Sequence, residues 1–482
     1  MRSLPIYSVA MFYGRDHELK LIKTAIDSPR AELGIVYGRR RVGKSALLTE
    51  RGIRKGDLHF EALQKLSTNK QIGHFTDQLA RQTRMPRILA LNWKDAFDAL
   101  TLHIRKGRRY VVLDEFPWMA SGRTELVSLL KYYWDNEWKK NPGLTLVLCG
   151  SVTSFMLKHL VHSTALHNRK TFEIKLDSLP AHEAALFFKR KRSDFEIAKF
   201  LMIFGGIPKY LEQLDPAESL AANMDRLCFT KNSFFLTEFE TLFKEQFKVI
   251  RTYESIVEAL ADRSSSKEIL AKRLGMKPGG GLSGYIQALE EADFVRVFSP
   301  ADVMGAGKKT KKIVLRDEWL RFYFSYVKPN RKIIELNSRP GLFARLTETS
   351  LDIYFGLAFE QFCMKNLTNL LAHTGINLDK IIGYGPFFRQ PGRKKRKSEG
   401  LQIDILLHRR GHILTVIECK FQTNPVGLSV IRDVEKKISL LRPGRIYTVE
   451  KILVSAGPVS REVHQGSYFH KILGLEALLT RA

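Results

Sequence analysis

Apolar residues follow two kinds of pattern along the chain, and each predicts a different element. Short continuous apolar runs, which are typical of strands buried on both faces, occupy residues 33–37, 110–113 and 144–151. Helical spacing of apolar residues dominates the segment 179–242, and strand-like runs return beyond residue 400. The pattern predicts an α/β chain with a parallel sheet in its first third, a helical segment and a second sheet near the end.

A phosphate-binding loop follows the first apolar run. Residues 38–45 read GRRRVGKS, which matches G-x-x-x-x-G-K-[ST] between a predicted strand and a predicted helix. Gly38 and Gly43 would let backbone amides curl round a β-phosphate, at which the next helix points its positive end. Lys44 would bridge the β- and γ-phosphates, and the Ser45 hydroxyl would bind Mg²⁺. The loop therefore predicts ATP and Mg²⁺ as cofactors.

The second and third apolar runs end in polar residues. Asp114 and Glu115 follow the second run; Asp114 would hold Mg²⁺ through water, and Glu115 would polarise the attacking water. Ser151 ends the third run, where either a side chain that senses the γ-phosphate or a plain helix N-cap would lie. Both interpretations of Ser151 stay open.

Five segments carry a family resemblance in the first half of the chain. In order they are FYGRDHELKLI, GRRRVGKSALL, VVLDEFPWM, LVLCGSVTSFM and FGGIPKYLEQL. They resemble the archaeal-type AAA+-related ATPases of the STAND branch of P-loop NTPases, which are similar to the origin-recognition ATPases. The resemblance implies that Gly14 and Arg15 lie near the adenine, as do Gly206 and Pro208 of a lid motif. Arg169 would be either an arginine finger, which implies a homo-oligomer, or a surface residue.

The middle of the chain predicts a helical lid followed by a winged helix. After the lid, one helix is predicted to start at Ser266 and end at Gly275, and a second helix, an apolar strand and a basic turn follow. This order is typical of a winged helix that contacts DNA. The predicted contacts on the wing are Lys308, Lys309, Lys311 and Lys312.

Acidic residues on the second of these helices limit what it does. Glu290, Glu291 and Asp293 would repel phosphate. We therefore expect the segment to make non-specific DNA contacts or to dock against another domain, and not to read base sequence. A protein-interaction or purely structural winged helix is the alternative.

Two strand-like runs near the end of the chain share a tight turn at residues 410–411. The second run places Glu418 and Lys420 on one face and Cys419 on the other. Folding the hairpin about its turn brings Asp404 to within about a residue or two of Glu418. Close carboxylates repel unless a cation lies between them, which predicts an Mg²⁺ or Mn²⁺ site. The metal would activate water, and Lys420 would either position the water or neutralise charge on the leaving side.

These residues resemble the PD-(D/E)XK nuclease superfamily, in which a helix glutamate precedes an aspartate and a Glu-x-Lys. The matching positions are Glu360, Asp404, Glu418 and Lys420, while Ile403 stands where many members have proline. The resemblance implies a domain that cuts phosphodiesters, with the three acidic residues as metal ligands. A basic run that would grip a phosphate backbone consists of Arg393, Lys394, Lys395, Arg396 and Lys397. For Asp404, Glu418 and Lys420, the alternative to a nuclease site is a surface salt-bridge pair at a sheet edge.

The chain of 482 residues is therefore predicted to hold four domains. They are a P-loop ATPase core (1–178), a helical lid (179–245), a winged helix (246–335) and a restriction-endonuclease-like α/β domain (336–482). The aromatic-rich segment KIVLRDEWLRFYFSYVKPNRKIIE resembles the junction that precedes a C-terminal domain of unknown function in the same ATPase family.

Charge narrows the class of partner. The chain has 78 Lys and Arg against 50 Asp and Glu, a net charge of +28. This excess favours DNA as the partner, leaves RNA open, and makes an anionic membrane surface a weaker choice. Four scattered cysteines without a CxxC pair argue against a disulfide framework or a zinc site. With no segment of transmembrane length, the sequence predicts a soluble cytoplasmic protein.

Two functions fit these features. One is an ATP-hydrolysing protein that processes DNA, with a Mg²⁺-dependent nuclease domain under ATP control. The other is a STAND-like switch or regulator, in which ATP turnover remodels a complex and the C-terminal domain only binds nucleic acid or protein.

Overall fold

A computed structural model of the chain describes residues 12–50, 56–151, 154–188, 191–247, 249–299, 311–336, 339–389 and 399–482. The chain divides into two compact units, Met1–Ser178 and Leu179–Ala482. Lys308, Lys309 and the basic run 393–397 lie outside the described residues, whereas Lys311 and Lys312 lie within them. Across the described ranges, no helix is both long and apolar enough to span a membrane.

The first unit is built on one five-stranded sheet. Its strands are β1 (Glu32–Gly38), β2 (Leu58–Glu61), β3 (Arg109–Asp114), β4 (Leu144–Ser151) and β5 (Phe172–Leu176). The order across the sheet is β2-β3-β4-β1-β5, and every neighbouring pair is parallel. Every residue of β1 and β4 is buried, which accounts for their unbroken apolar runs. The predicted parallel sheet is confirmed.

Helices cover both faces of this sheet. They are α1 (Asp16–Asp27), α2 (Lys44–Thr49), α3 (Thr68–Thr83), α4 (Trp93–Ile104), α5 (Phe116–Met119), α6 (Glu125–Asn136) and α7 (Ser154–Met156). Alternate residues of β1 enter two cores: Leu33 and Ile35 pack with residues of α3, α4 and α6, and Val36 packs with residues of α1 and α2.

The second unit is mainly helical in its first half. Its helices are α8 (Ala181–Ala184), α9 (Asp194–Phe204), α10 (Pro208–Leu211), α11 (Leu220–Cys228), α12 (Phe234–Gln246), α13 (Ile250–Ala259), α14 (Lys267–Leu274), α15 (Gly280–Glu291), α16 (Glu318–Phe322), α17 (Arg331–Leu336), α18 (Leu342–Thr347), α19 (Leu351–Lys365), α20 (Leu367–Ala372), α21 (Ser429–Leu441), α22 (Arg461–Gln465) and α23 (Glu476–Leu479). The helix predicted between Ser266 and Gly275 is present as α14. Ser266 caps it by accepting a hydrogen bond from Ile269 N, and Gly275 ends it with φ 64°.

Two sheets complete the second unit. A two-stranded antiparallel hairpin consists of β6 (Val295–Phe298) and β7 (Lys312–Leu315). A mixed sheet consists of β8 (Ile381–Arg389), β9 (Leu401–Arg409), β10 (Ile413–Lys420), β11 (Thr448–Ser455) and β12 (Lys471–Leu473). Its order is β12-β11-β10-β9-β8, with β10, β11 and β12 parallel and β8, β9 and β10 antiparallel. The predicted second sheet is confirmed.

One hydrophobic core connects most elements of the second unit. It includes Phe204 of α9, Ile286 of α15, Phe359 of α19 and Ile417 of β10, and it extends to Leu479. A separate core, which includes Val416, packs on the other face of the mixed sheet. The segments predicted as lid, winged helix and C-terminal domain therefore share buried apolar contacts, which couples their stabilities. The boundaries between them stay predictions.

Gly206 offers a test of this packing. A Cβ at Gly206 would lie 1.9 Å from the carbonyl oxygen of Leu179, so Gly206→Ala forces backbone apart. We expect it to lower the free energy of unfolding of the second unit by about 1–3 kcal/mol. As a control, Gly284 in α15 has nothing within 4 Å of an added Cβ, and Gly284→Ala should stabilise the helix by about 0.5–1 kcal/mol. Equal midpoints for the two variants in thermal unfolding would contradict this packing.

Candidate functional site

Gly38 and Gly43 shape the phosphate loop for backbone reasons. Gly38 ends β1, and a Cβ there would lie 2.2 Å from the carbonyl oxygen of Leu176. Gly43 precedes α2 with φ 88°, a conformation that side-chain-bearing residues rarely adopt. The loop therefore joins a buried strand to a helix that begins at Lys44, as predicted from the sequence.

Lys44 is buried inside this loop and donates only to uncharged acceptors. Its Nζ lies 3.3 Å from Gly38 O, 3.1 Å from Arg39 O and 3.3 Å from Ser151 Oγ. No ion pair of Lys44 occurs among the described residues, so its positive charge remains available to an anion. This is the electrostatic condition that a phosphate site needs.

Ser45 and Asp114 meet beside the loop. Ser45 Oγ donates to Asp114 Oδ2 at 2.6 Å. Burial favours the neutral form of Asp114, but contacts from His59, Ser45, Cys149 and its neighbour's amide outweigh burial and lower its pKa to about 2. A hydroxyl and an ionised carboxylate at this spacing are oxygen ligands that fit Mg²⁺.

His59 is a residue of this site that the sequence analysis missed. Its Nε2 lies 3.7 Å from Asp114 Oδ2, which is too far for a hydrogen bond. It is brought there because β2 pairs with β3 in parallel register. No local sequence signal marks it, since a histidine in a short strand is more often a packing residue.

Glu115 and Ser151 are linked to Lys44. Ser151 Oγ donates to Glu115 Oε1 at 3.1 Å and accepts from Lys44. The sheet order explains this contact, because β4 lies between β1 and β3, so the end of β4 is central. Glu115 has φ 51°, a left-handed conformation that turns the chain sharply after β3. Ser151 thus contacts the predicted nucleotide residues, and its sensing role stays a prediction.

Arg15 braces the loop from the other side. It is buried, and its Nη2 donates to Val42 O at 3.2 Å and to Asp177 O at 2.5 Å. Gly14, which precedes it, has φ 71°. These contacts fix the loop backbone, and adenine contact by Gly14 and Arg15 stays a prediction.

Gly206 and Pro208 belong to the second unit. Gly206 O accepts from Leu179 N at 2.7 Å, and Pro208 is the first residue of α10, where a missing N–H costs nothing. Their role near adenine also stays a prediction.

Arg169 is held by an acidic partner in its own unit. Its Nε donates to Asp135 Oδ1 at 2.8 Å, its Nη2 to Asp135 Oδ2 at 2.7 Å, and its Nη1 to Ala165 O at 2.8 Å. This bidentate ion pair occupies the Arg169 guanidinium. It favours the interpretation of Arg169 as a surface residue over that of an arginine finger.

The C-terminal hairpin places Asp404 beside Glu418. β9 and β10 are antiparallel with Ile405 opposite Ile417, and Cys419 N donates to Asp404 Oδ2 at 2.8 Å. The faces alternate as predicted: Val416 packs in one core, and Ile417 and Cys419 pack in the other.

A β-bulge aims Asp404. β8 pairs with β9 with Gly385 opposite Leu406 and Phe387 opposite Ile403, so β9 has one extra residue between these pairs. Such an insertion bends a strand and redirects a side chain. The bulge contains Asp404. The presence of Ile403, where many members of the nuclease superfamily have proline, gives no sign of this bulge.

Lys437 of α21 supplies a cation between the two carboxylates. Its Nζ lies 2.6 Å from Glu418 Oε2 and 3.5 Å from Asp404 Oδ1. Burial alone would lower the pKa of Lys437, but the charges of Asp404 and Glu418 outweigh burial and raise it. Lys420 Nζ lies 3.0 Å from Glu418 Oε1. No sequence pattern predicts Lys437, because nothing local connects a helix lysine to the strands before it.

Glu360 approaches the same carboxylates from α19. Burial and the charge of Asp404 raise the pKa of Glu360 to about 8, and Gln402 Nε2 donates to its Oε2 at 3.3 Å. Burial and Glu418 also raise the pKa of Asp404. Each direction is that of carboxylates crowded together with too little positive charge.

The predicted metal site can be compared with these contacts. In the part of the chain that the structure describes, no three His, Cys, Asp or Glu side chains are arranged to hold a metal ion. However, oxygens of Asp404 and Glu418 both face the Lys437 ammonium, and oxygen donors suit Mg²⁺ or Mn²⁺. The donor set therefore fits a divalent cation that displaces Lys437, and the metal site stays a prediction.

Comparisons with known proteins bear on both ends of the chain. Residues 12–214 match a family described as "ATPase domain predominantly from Archaea". Residues 323–436 match a family described as "Archaea bacterial proteins of unknown function". The chain therefore carries an ATPase domain of archaeal type and a C-terminal domain whose family has no known function.

Individual proteins resemble the chain more distantly. The uncharacterized protein MJECL04 of Methanocaldococcus jannaschii is 26% identical over 362 residues, which are 75% of this chain and 78% of that protein. The Walker-type ATPase of Pyrococcus abyssi is 17% identical with a TM-score of 0.47, covering 65% of this chain and 96% of that one. The ORC2 protein of Aeropyrum pernix, in ADPNP and ADP complexes, is 14% identical with a TM-score of 0.41, covering 67% and 94%. The family matches, and not these superpositions, carry the assignment.

The Arg169 pairing makes a testable prediction. Arg169→Ala and its partner variant Asp135→Ala remove the same ion pair, which is about a quarter exposed. We expect each to lower the free energy of unfolding by about 0.5–1 kcal/mol and to leave ATP hydrolysis intact. Steady-state ATPase assays at several protein concentrations check this. Loss of hydrolysis in Arg169→Ala alone would instead identify an arginine finger.

Proposed function

We propose that this chain is a cytoplasmic ATP-hydrolysing protein that acts on nucleic acid, DNA in the first place, and cuts it at a Mg²⁺-dependent site under ATP control. The ATPase domain is of archaeal type. The observation that carries the proposed cleavage is the buried pair Asp404 and Glu418, which Lys420 and Lys437 contact. Buried like charges are costly, and such clusters occur most often at functional sites.

The roles in ATP hydrolysis follow from the contacts. Lys44 neutralises the β- and γ-phosphates, because its charge is not paired with any described carboxylate. Ser45 and Asp114 would hold Mg²⁺, which neutralises developing charge on the phosphates when bound. Glu115 takes the proton of the attacking water, and Ser151 orients its carboxylate.

The roles at the C-terminal site follow in the same way. Asp404 and Glu418 would hold Mg²⁺ or Mn²⁺, which activates water and stabilises charge on the phosphate when bound. Glu360, the third predicted ligand, is not arranged with them to hold a metal ion within the described residues and would have to move to join them. The Cys419 amide fixes one oxygen of Asp404. Lys420, next to Glu418, positions the water.

ATP control has a physical route within the second unit. Phe421, which follows Lys420, stacks on Phe195 of α9 with ring centroids 4.6 Å apart and planes 15° apart. It also packs against Phe359 of α19, at 5.3 Å. α9 ends at Phe204, just before the Gly206 that is predicted to contact adenine. A shift of α9 on ATP binding is therefore transmitted to the end of β10.

One observation favours the second function. Lys437 already supplies a cation to Asp404 and Glu418, so the pair is stabilised without a metal. A non-nucleolytic switch would retain this arrangement and use the C-terminal domain only for binding.

Paired assays separate the two functions. Wild type, Lys44→Ala and Lys420→Ala are incubated with Mg²⁺, ATP and single-stranded, duplex and branched DNA, and cleavage and ATP hydrolysis are both measured. We expect Lys420→Ala to lose cleavage by about a hundredfold or more while hydrolysing ATP normally. Lys44→Ala should lose ATP hydrolysis and ATP-dependent cleavage together.

The control for Lys420→Ala is Lys436→Ala, which removes an exposed lysine whose partner is Glu399. It should cleave like wild type. Cleavage that survives Lys420→Ala would refute the assigned site, and absence of cleavage from wild type on every DNA form would favour the switch.

A further inference from the structure

A cavity of about 730 Å³ lies within the second unit, beside the predicted metal site. One wall comes from the β6–β7 hairpin and the segment before α14. Other lining residues come from α19, β8 and β9. Glu360, Gln402 and Asp404 are among the lining residues. Glu360 and Asp404, two of the three carboxylates of the candidate site, therefore border this cavity.

Two arginines on the hairpin side have guanidinium groups without a partner among the described residues. Arg263 and Arg296 line the cavity, and their side chains make neither a hydrogen bond nor an ion pair with those residues. The nearby cations are occupied: Arg316 pairs with Asp293 at 2.9 Å, and Lys365 pairs with Glu318 at 2.6 Å.

Arg321 is buried and donates to Leu315 O at 2.8 Å, and Asp262, which also lines the cavity, is exposed. Arg263 and Arg296 are therefore the cations that this wall offers to a ligand, and their charge suits an anion.

Besides these polar residues, α19 and β8 line the cavity with apolar and aromatic side chains. Ile382 is 60% exposed, Tyr384 49% and Leu357 51%, and Phe388 of β8 and Phe298 of β6 also line the cavity. Several large apolar side chains exposed in one concave site mark a binding surface. In a site that binds single-stranded nucleic acid, aromatic rings stack on the bases and cations contact the phosphates.

We propose that this cavity, the strand cleft, binds one strand of nucleic acid with phosphates along Arg263 and Arg296 and bases against Tyr384. Its volume is that of a pocket for a drug-sized molecule, so it holds a short stretch of one strand and not a duplex. The net charge of +28 adds a general attraction for such a polyanion. Delivery of a phosphodiester to Asp404 rests on the proposed function, whereas strand binding stands without it.

The test is fluorescence anisotropy of a labelled oligothymidylate with the full chain, with EDTA present so that cleavage plays no part. We expect the double variant Arg263→Ala/Arg296→Ala to weaken binding by about tenfold or more and to flatten the salt dependence. Tyr384→Ala should weaken binding by about fivefold or more at any salt, since each stacked base contributes about 1–3 kcal/mol. Lys20→Ala/Lys23→Ala, which removes two exposed cations from α1, should change binding little.

Each outcome decides the proposal. Equal weakening by the Arg263/Arg296 and Lys20/Lys23 pairs would overturn it, because non-specific charge would then suffice. A matching duplex that binds as tightly as the single strand and depends on the same arginines would also overturn it. If the cleft variants lose strand binding and the wild type cleaves nothing with Mg²⁺, the strand cleft is supported and the proposed nuclease activity is refuted. Variants with unchanged ATP hydrolysis and unfolding midpoints establish that the fold is intact.

Discussion

The structure of the second unit depends on one electrostatic constraint, which is that Asp404 and Glu418 are buried side by side and require a cation. Two like charges that are buried away from water repel each other strongly. Removing the oppositely charged partner of a buried charge costs several kcal/mol. Lys437 of α21 supplies this cation, with its Nζ 2.6 Å from Glu418 Oε2 and 3.5 Å from Asp404 Oδ1. Lys420, on the same strand as Glu418, places its Nζ 3.0 Å from Glu418 Oε1. The same constraint supports the proposed Mg²⁺ or Mn²⁺ site, because oxygen donors from two carboxylates suit a divalent ion.

This charged cluster is tied to the rest of the unit through apolar packing. Cys419 and Ile417 face the long core that also holds α9 and α19, and Phe421 stacks on Phe195. A helix next to the predicted adenine contact, a predicted catalytic strand and the strand cleft therefore share one packed interior. Because packed interiors transmit displacement, this shared interior supports the proposed control of the C-terminal site by ATP.

Much of this could be predicted from the sequence, for identifiable reasons. The strands at 144–151 and 110–113 follow from unbroken apolar runs, and the phosphate loop from fixed glycine positions. The approach of Asp404 to Glu418 follows from the period of two in a hairpin. Lys437 and the bulge at Asp404 could not be predicted, since both depend on how distant elements pack against β9. The winged-helix and nuclease assignments remain proposals because short motifs do not fix a fold.

The most direct measurement is Mn²⁺ binding to the nucleotide-free protein, followed by electron paramagnetic resonance. In wild type we predict saturable Mn²⁺ binding that Asp404→Asn abolishes, since an amide can still accept from the Cys419 amide but lacks the charge. Lys437→Met should bind Mn²⁺ more tightly, because the competing ammonium is gone. Mn²⁺ binding that is absent from wild type, or that is indifferent to both substitutions, would contradict the account.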